Sequence, residues 1–135
     1  MPFNTKQKHI TISTSMDIDV YTSGNPSILL DESRSLIGGG WIEIVRVATV
    51  ELEHLFLDTN ALDDSVLVVD EDGLNKNLHI NHIATYLTRL HIVGNVILTK
   101  DVNGELVGYN EKECEQIKEF LNSVIPAIKE LIKYK

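Results

Sequence analysis

A chain of 135 residues can bury a core without cross-links, and we predict one domain spanning residues 1–135. Its single cysteine, Cys114, excludes an internal disulfide framework and favours a reducing compartment. Twelve basic residues against twenty acidic ones give a formal net charge of −8, which argues against nonspecific binding to nucleic acid.

The first part of the chain has the alternating pattern of β-strands. Apolar and polar residues alternate over residues 9–13 and again over residues 17–21, so we predict two short strands that pair as a hairpin. Residues 31–36 then have the composition of a short helix. We expect Asp31 to cap this helix and Gly38 to end it, because these residue types suit the two ends.

Three consecutive glycines, Gly38 to Gly40, precede the only tryptophan of the chain. Glycine inside a helix or strand loses much backbone entropy, so the triplet predicts a turn with φ angles that other residues resist. Residues 41–47 then alternate, and we predict a central strand that buries Trp41 in the core. The strand-like pattern continues over residues 48–56. The apolar run from Val66 to Val69 predicts a strand buried on both faces.

The second half of the chain mixes helical and strand patterns. Apolar residues recur at helical spacing over residues 77–90 and predict a helix there. Residues 91–98 form an apolar run interrupted by Gly94, which indicates a buried strand. The Asn103-Gly104 pair is a strong hairpin signal, so residues 105–109 are predicted to be the returning strand.

The C-terminal segment has the pattern of a long amphipathic helix. Asn110 and Glu113 have the spacing of a capping box, which marks the start of the helix. Pro126 lacks a backbone N–H, so we expect it to kink or split the helix. The apolar stripe comprises Cys114, Ile117, Phe120, Leu121, Val124, Ile128, Leu131 and Ile132. These elements predict an α+β fold, a mainly antiparallel sheet packed by the C-terminal helix.

Three segments share an ordered pattern of motifs. Leu36 to Val47 places glycines before a Trp-Ile-Glu-Ile-Val strand, and Val66 to Asn81 places an acidic turn after an apolar strand and ends in Leu-His-Ile-Asn. Ile92 to Gln116 opens with an Ile-Val-Gly strand. In this order the segments resemble an uncharacterised domain family common in phages and other mobile elements, whose members often have Asn-Arg where this chain has Asn81-His82.

The resemblance implies a small accessory protein made inside an infected or element-bearing bacterium, where many such proteins counter host defence. The expected location is therefore the host cytoplasm. No apolar run has the length of a signal peptide or a membrane span, so we expect no membrane partner.

One segment carries the whole excess of negative charge. Between residues 51 and 73 there are eight acidic residues and no Lys or Arg, while the rest of the chain balances twelve against twelve. We predict that this segment forms one exposed acidic surface that inhibits or regulates a host protein, although it could also serve solubility alone. The predicted protein-binding residues are Glu51, Glu53, Asp58, Asp63, Asp64, Asp70, Glu71 and Asp72.

A second hypothesis is a sponge that sequesters a small nucleotide-like signalling molecule. Such a site needs an aromatic face for the base and Arg or Asn donors for phosphate. The candidate ligand-binding residues are Trp41, Arg46, Asn81, His82, Arg89 and Asn95. We also predict a homo-oligomer, because two buried strands and a long apolar stripe exceed what one small layer covers.

A third hypothesis is a metal-dependent hydrolase. His79 and His82 would lie on one face of a helix and could share a metal with a third ligand such as Glu53, His54 or His91. No metalloprotease motif or cysteine pair supports this, and Cys114 lies in an apolar stripe where thiols are inert. We therefore predict no catalytic residue, no metal and no cofactor.

Overall fold

A computed structural model describes residues 7–25, 28–47, 62, 64–73 and 75–133. Its elements, in chain order, are β1 (Lys8–Ile12), β2 (Ile18–Thr22), α1 (Leu30–Ile37), β3 (Ile42–Arg46), β4 (Ser65–Asp70), α2 (His82–Thr88), β5 (Val96–Val102), β6 (Glu105–Leu106) and α3 (Glu111–Lys133). The strands pair antiparallel and the C-terminal helix packs on the sheet, so the predicted α+β fold is confirmed.

The strand order places the most apolar strands at the centre of the sheet. The order is β2-β1-β5-β4-β3, and β6 pairs with the end of β5. Val66 to Val69 in β4 are buried on both faces, as predicted. The strand predicted after the glycines forms as β3, but it lies at the end of the described part of the sheet and not among its central strands.

Helices cover the two faces of the sheet unequally. On one face α2 and α3 pack against β1, β4 and β5, and the described residues include 18 buried apolar side chains in that cluster. On the other face α1 packs over Val68 and Ile97, and the corresponding cluster has only four buried members. We call these the α3 face and the α1 face.

Two local predictions near the N-terminus are confirmed. The first hairpin forms with Ile10 opposite Val20. The glycine turn also forms, because Gly38, Gly39 and Gly40 have φ angles of 106°, 86° and 85°. Other residues rarely adopt such angles, which explains the triplet.

The ends of the first helix agree with the prediction only in part. Gly38 ends α1 in a left-handed conformation, as predicted. Asp31 is not the cap, because the helix starts one residue earlier and Leu29 occupies the N-cap position. The Leu29 N–H donates instead to the Glu32 carboxylate at 3.0 Å.

The helix predicted over residues 77–90 is much shorter in the structure. Only His82–Thr88 is helical, and Asn81 caps it by accepting the Ala84 N–H at 3.1 Å. Ile80 forms a β-bridge with Val93 instead of continuing the helical face. The strand predicted over residues 91–98 is likewise displaced, since β5 starts at Val96.

The C-terminal predictions are mostly confirmed. Asn110 and Glu113 form the reciprocal capping box, with distances of 3.0 and 2.8 Å. The helix is not split, because α3 runs as one element through Pro126. Leu131 departs from the predicted stripe and is 65% exposed. The returning strand β6 has two residues, fewer than predicted.

Some predictions fall outside the described residues. These are the strand-like pattern of residues 48–56 and the acidic residues Glu51, Glu53, Asp58 and Asp63, together with His54. Within the part that is described, no helix combines the length and apolarity needed to cross a membrane.

Candidate functional site

The three segments that carry the resemblance meet in space at one cleft. It has a volume of about 100 Å³ and lies at the end of β4, on the α3 face. Its walls come from β3, from the turn after β4 and from the segment before β5. The cleft is lined by Glu43, Val69, Asp70, Glu71, Gly73, His91, Ile92 and Val93. We call it the acidic cleft.

Close approaches of glycine backbone occur in the wall of this cleft and next to it. A Cβ added at Gly73 would lie 2.6 Å from Cγ2 of Val93, and one at Gly94 would lie 2.8 Å from Cδ1 of Leu78. Gly94 also has a φ of 83°. A larger residue at either position would have to displace the neighbouring side chain, which explains Gly73 by packing, while Gly94 also needs its positive φ.

Asn81 joins the same segments from the buried side. Its side-chain amide is fully buried and donates to the carbonyls of Ile12 at 3.0 Å and of Gly94 at 2.9 Å. Its carbonyl oxygen caps α2. These bonds use the polar atoms that a ligand would contact, so the structure gives Asn81 a structural role and does not favour its predicted role in ligand binding.

Asp70 differs from the acidic residues beside it because it is buried. Its carboxylate accepts from Nζ of Lys76 at 2.7 Å and from the Asp72 N–H at 2.8 Å. Nζ of Lys76 also lies close to the backbone of Gly40, since a Cβ added at Gly40 would be 3.0 Å from it. Asp70 therefore fixes the turn after β4, and its assignment to an exposed binding surface is wrong.

The remaining described acidic residues divide between the two ends of β4. Glu71 and Asp72 are exposed at its C-terminal end, beside the exposed Glu43 of β3. Asp64 is exposed at its N-terminal end, about 23 Å from Glu71 at roughly 3.3 Å per residue. Of the predicted surface, the described residues therefore contribute two separate parts, and the acidic cleft is one of them; the single surface stays a prediction.

Trp41 lies at the surface, next to the acidic turn. It is 66% exposed, so its predicted burial in the core is wrong. Its backbone carbonyl accepts the Glu71 N–H at 3.0 Å, which ties it to the end of β4. The Arg34 guanidinium of α1 lies 4.9 Å from the ring centroid, within the range of a cation–π contact.

The other predicted ligand-binding residues do not converge. Arg46 lies at the far end of β3, about 16 Å along the strand from Trp41. Arg89 is the C-cap of α2 and stacks on Tyr86 at 5.2 Å, while His82 begins that helix. Asn95 accepts the Thr14 N–H at 3.1 Å and lines a cleft at the β1–β2 turn. The nucleotide sponge stays a prediction that this arrangement does not favour.

The histidine pair does not form the predicted metal-binding face. His79 lies before α2, where its carbonyl accepts the Gly94 N–H at 2.8 Å, so the helix carries only His82. Over the described ranges no three His, Cys, Asp or Glu side chains group closely enough to hold a metal ion. Cys114 is buried, and burial raises the pKa of its thiol, which suits an inert side chain.

A buried polar cluster beneath α1 was not predicted. His9 of β1 is fully buried, with Nδ1 2.6 Å from Oγ1 of Thr99 in β5. Its Nε2 has no hydrogen-bond partner among the described residues. Burial lowers the pKa of His9 to about 4, although the nearby Glu32 carboxylate opposes that shift, so the ring is neutral at neutral pH.

Glu32 connects α1 to the strands above this cluster. Its carboxylate accepts from the Tyr21 hydroxyl at 2.5 Å and from the Ser23 hydroxyl at 3.2 Å. The Tyr21 hydrogen bond is the main reason that the pKa of Glu32 is lowered, followed by the Leu29 N–H. The sequence offered no clear signal for this cluster, because other polar residues also occur in the strands of His9 and Thr99.

Comparisons of the chain with models of protein families, with curated proteins and with solved structures found no match.

Proposed function

We propose that this chain is an accessory binding protein, not an enzyme, and that it regulates a host protein by docking onto a basic surface of that protein. The contact is made by exposed carboxylates, those of Glu43 and Glu71 in the acidic cleft and that of Asp72 in the adjoining turn. The phage-like context and the cytoplasmic location come from the sequence pattern and belong to the same proposal.

The observation that carries the proposal is that the carboxylates of the acidic turn differ in how far they are neutralised. Lys76 pairs with the buried Asp70, whereas Glu71 and Asp72 are exposed at the same turn. Exposed carboxylates raise the local negative potential, which steers a basic partner and sets the orientation of the encounter. Because Asp70 holds the turn, the neighbouring carboxylates are presented on a fixed backbone.

The proposal is tested by quantitative capture of partners from a bacterial host lysate. We expect the wild-type chain to retain a partner whose recovery falls at least fivefold with Glu43→Gln, Glu71→Gln and Asp72→Asn combined. A matched control carries Asp19→Asn, Glu115→Gln and Glu119→Gln, which changes the net charge equally at exposed sites elsewhere. Equal losses in both variants would show that overall charge, not this surface, governs the contact.

The predicted homo-oligomer enters this proposal as a separate expectation. It is measured by light scattering of the purified chain over a range of concentrations. A monomer at every concentration would remove self-association without affecting the proposed contact with a host protein.

A further inference from the structure

We propose that Trp41 is the anchor of the docking surface and that it receives an arginine side chain from the partner protein. This inference rests on the proposed function, because it names the chemistry of the group that the same surface would bind. The carrying observation is an aromatic side chain that is held in place and yet exposed.

Three features fix the position of Trp41. The glycine turn before it has left-handed φ angles at all three residues, and the carbonyl of Trp41 is bonded to the N–H of Glu71. The guanidinium of Arg34 stacks on the ring. A rigid aromatic group loses little conformational entropy on binding, which is why tryptophan is enriched among the residues that dominate interfaces.

The exposure of Trp41 leaves room for a second contact. The residue is 66% exposed even though Arg34 lies over the ring. A large aromatic surface in water is unfavourable, and its burial by a partner releases that cost. The contact with Arg34 also shows that a guanidinium fits against this ring, at a centroid distance of 4.9 Å.

Charge selects the occupant. The N–H of Glu71 is bonded to the carbonyl of Trp41, which continues the β3–β4 pairing and places the two residues opposite each other. Asp72 follows Glu71 directly, and Glu43 is two residues after Trp41, in β3. A cation at the ring would therefore have carboxylates beside it, which suits the planar, multiply donating guanidinium better than an ammonium group. A second copy of this chain would bring the same net charge of −8 to this surface, so a basic protein suits the surface better than a self-contact.

The test measures binding of fluorescein-labelled octa-arginine by anisotropy, with octalysine and octaglutamate as comparison peptides. We expect octa-arginine to bind more tightly than octalysine and octaglutamate not to bind. Trp41→Ala should weaken the binding of octa-arginine about fivefold to tenfold, and Trp41→Phe should retain most of it. Circular dichroism checks that both variants fold.

Intrinsic fluorescence gives a second readout, because Trp41 is the only tryptophan. Its emission should shift when unlabelled octa-arginine is added. Unchanged affinity in Trp41→Ala, equal binding of the two basic peptides, or no binding by the wild-type chain would overturn the inference.

The two proposals fail in different ways. If neutralising Glu43, Glu71 and Asp72 abolishes binding but Trp41→Ala does not, the acidic surface stands and the anchor is wrong. If Trp41→Ala weakens binding while the neutralised variant binds as the wild-type chain does, the anchor stands and the acidic surface is wrong.

Discussion

The two faces of the sheet are stabilised in different ways. The α3 face is an extensive apolar core to which α2 and α3 contribute. The α1 face has a small apolar cluster, and beside it lie the buried His9 and Thr99 and the partly buried Glu32. Apolar burial is tolerant of small shifts, whereas hydrogen bonds require defined distances. We infer that the α3 face supplies most of the stability and that the α1 face fixes the position of one helix.

The positions of the candidate site residues follow from this difference. The acidic cleft opens on the α3 face, where Asp70 and the glycines hold the chain. Trp41 follows α1, and Arg34 of that helix stacks on it. The position of Trp41 therefore depends on the smaller cluster of the α1 face, and the carboxylates of the acidic cleft depend on the larger cluster of the α3 face. Substitutions can therefore perturb Trp41 and the cleft separately.

The largest effect is expected from truncation in the α3 face. Leu98→Ala removes a fully buried side chain from the larger cluster and should lower the free energy of unfolding by about 3 kcal/mol. Urea denaturation measures this loss. Ile97→Ala, on the α1 face of the same strand, should cost less, and an equal or larger cost would remove the proposed difference between the faces.

A slightly smaller loss is expected at the buried side-chain amide of Asn81, which links α2 to β1. Asn81→Ala leaves the carbonyls of Ile12 and Gly94 without their donor, which should cost about 2 to 3 kcal/mol by thermal or urea unfolding. His82→Ala is the control, since this neighbour is only half-buried. Similar effects of the two substitutions would show that the hydrogen bonds of Asn81 contribute little.

Acid should weaken the protein through the α1 face. The pKa of His9 is lowered to about 4 by burial, while the unfolded chain has the ordinary value of 6.5. The unfolded state therefore binds the proton first, and stability falls as the pH drops from about 6.5 towards 4. Between pH 7.5 and pH 5 we expect a loss of about 2 kcal/mol from this group.

The variant His9→Gln isolates that contribution. It keeps a polar side chain opposite Thr99 but cannot titrate, so the stability of the variant should change less between pH 7.5 and pH 5 than that of the wild-type chain. Leu131→Ala, at an exposed position of α3, should retain the full pH dependence. If His9→Gln shows the same slope as the wild-type chain, the buried imidazole is not its source.

Local sequence signals predicted several single elements well. The apolar run of β4 and the capping box of Asn110 and Glu113 act over a few residues, and each forms as predicted. The Asn103-Gly104 turn has the positive φ angles of 54° and 88° that such a pair supplies. These features depend on neighbours in the chain, so periodicity and turn chemistry are sufficient to find them.

Features that depend on distant contacts could not be predicted in this way. The hydrogen bond of His9 joins residues 90 positions apart. Trp41 alternates as a strand residue does, but its exposure depends on the strand order, which the local pattern does not contain. The helix pattern over residues 77–90 failed because Asn81 caps a shorter helix and Ile80 pairs with Val93. Likewise, the burial of the Asp70 carboxylate depends on its ion pair with Lys76, which the local pattern does not show.

A modest loss is expected where α1 is tied to the strands. Glu32→Gln weakens the hydrogen bonds from Tyr21 and Ser23, and should cost about 1 kcal/mol because the carboxylate is partly exposed. Tyr21→Phe should cost a similar amount. The double variant should lose less than the sum of the two, as measured by urea unfolding, whereas full additivity would mean that the pair is not coupled.

The smallest effect on stability is expected at Trp41, where the α1 face ends. Trp41→Ala removes a side chain that is mostly exposed and loses one stacking contact with Arg34, so the free energy of unfolding should change by less than about 0.5 kcal/mol. Arg34→Lys should change it as little. The side chain of Trp41 would then be exposed, rigidly held and nearly without effect on the free energy of unfolding. Its surface would therefore be available for binding. A loss above about 2 kcal/mol in urea unfolding would instead make Trp41 part of the core. Trp41 would then belong with the residues that stabilise the fold, and not with those available for binding.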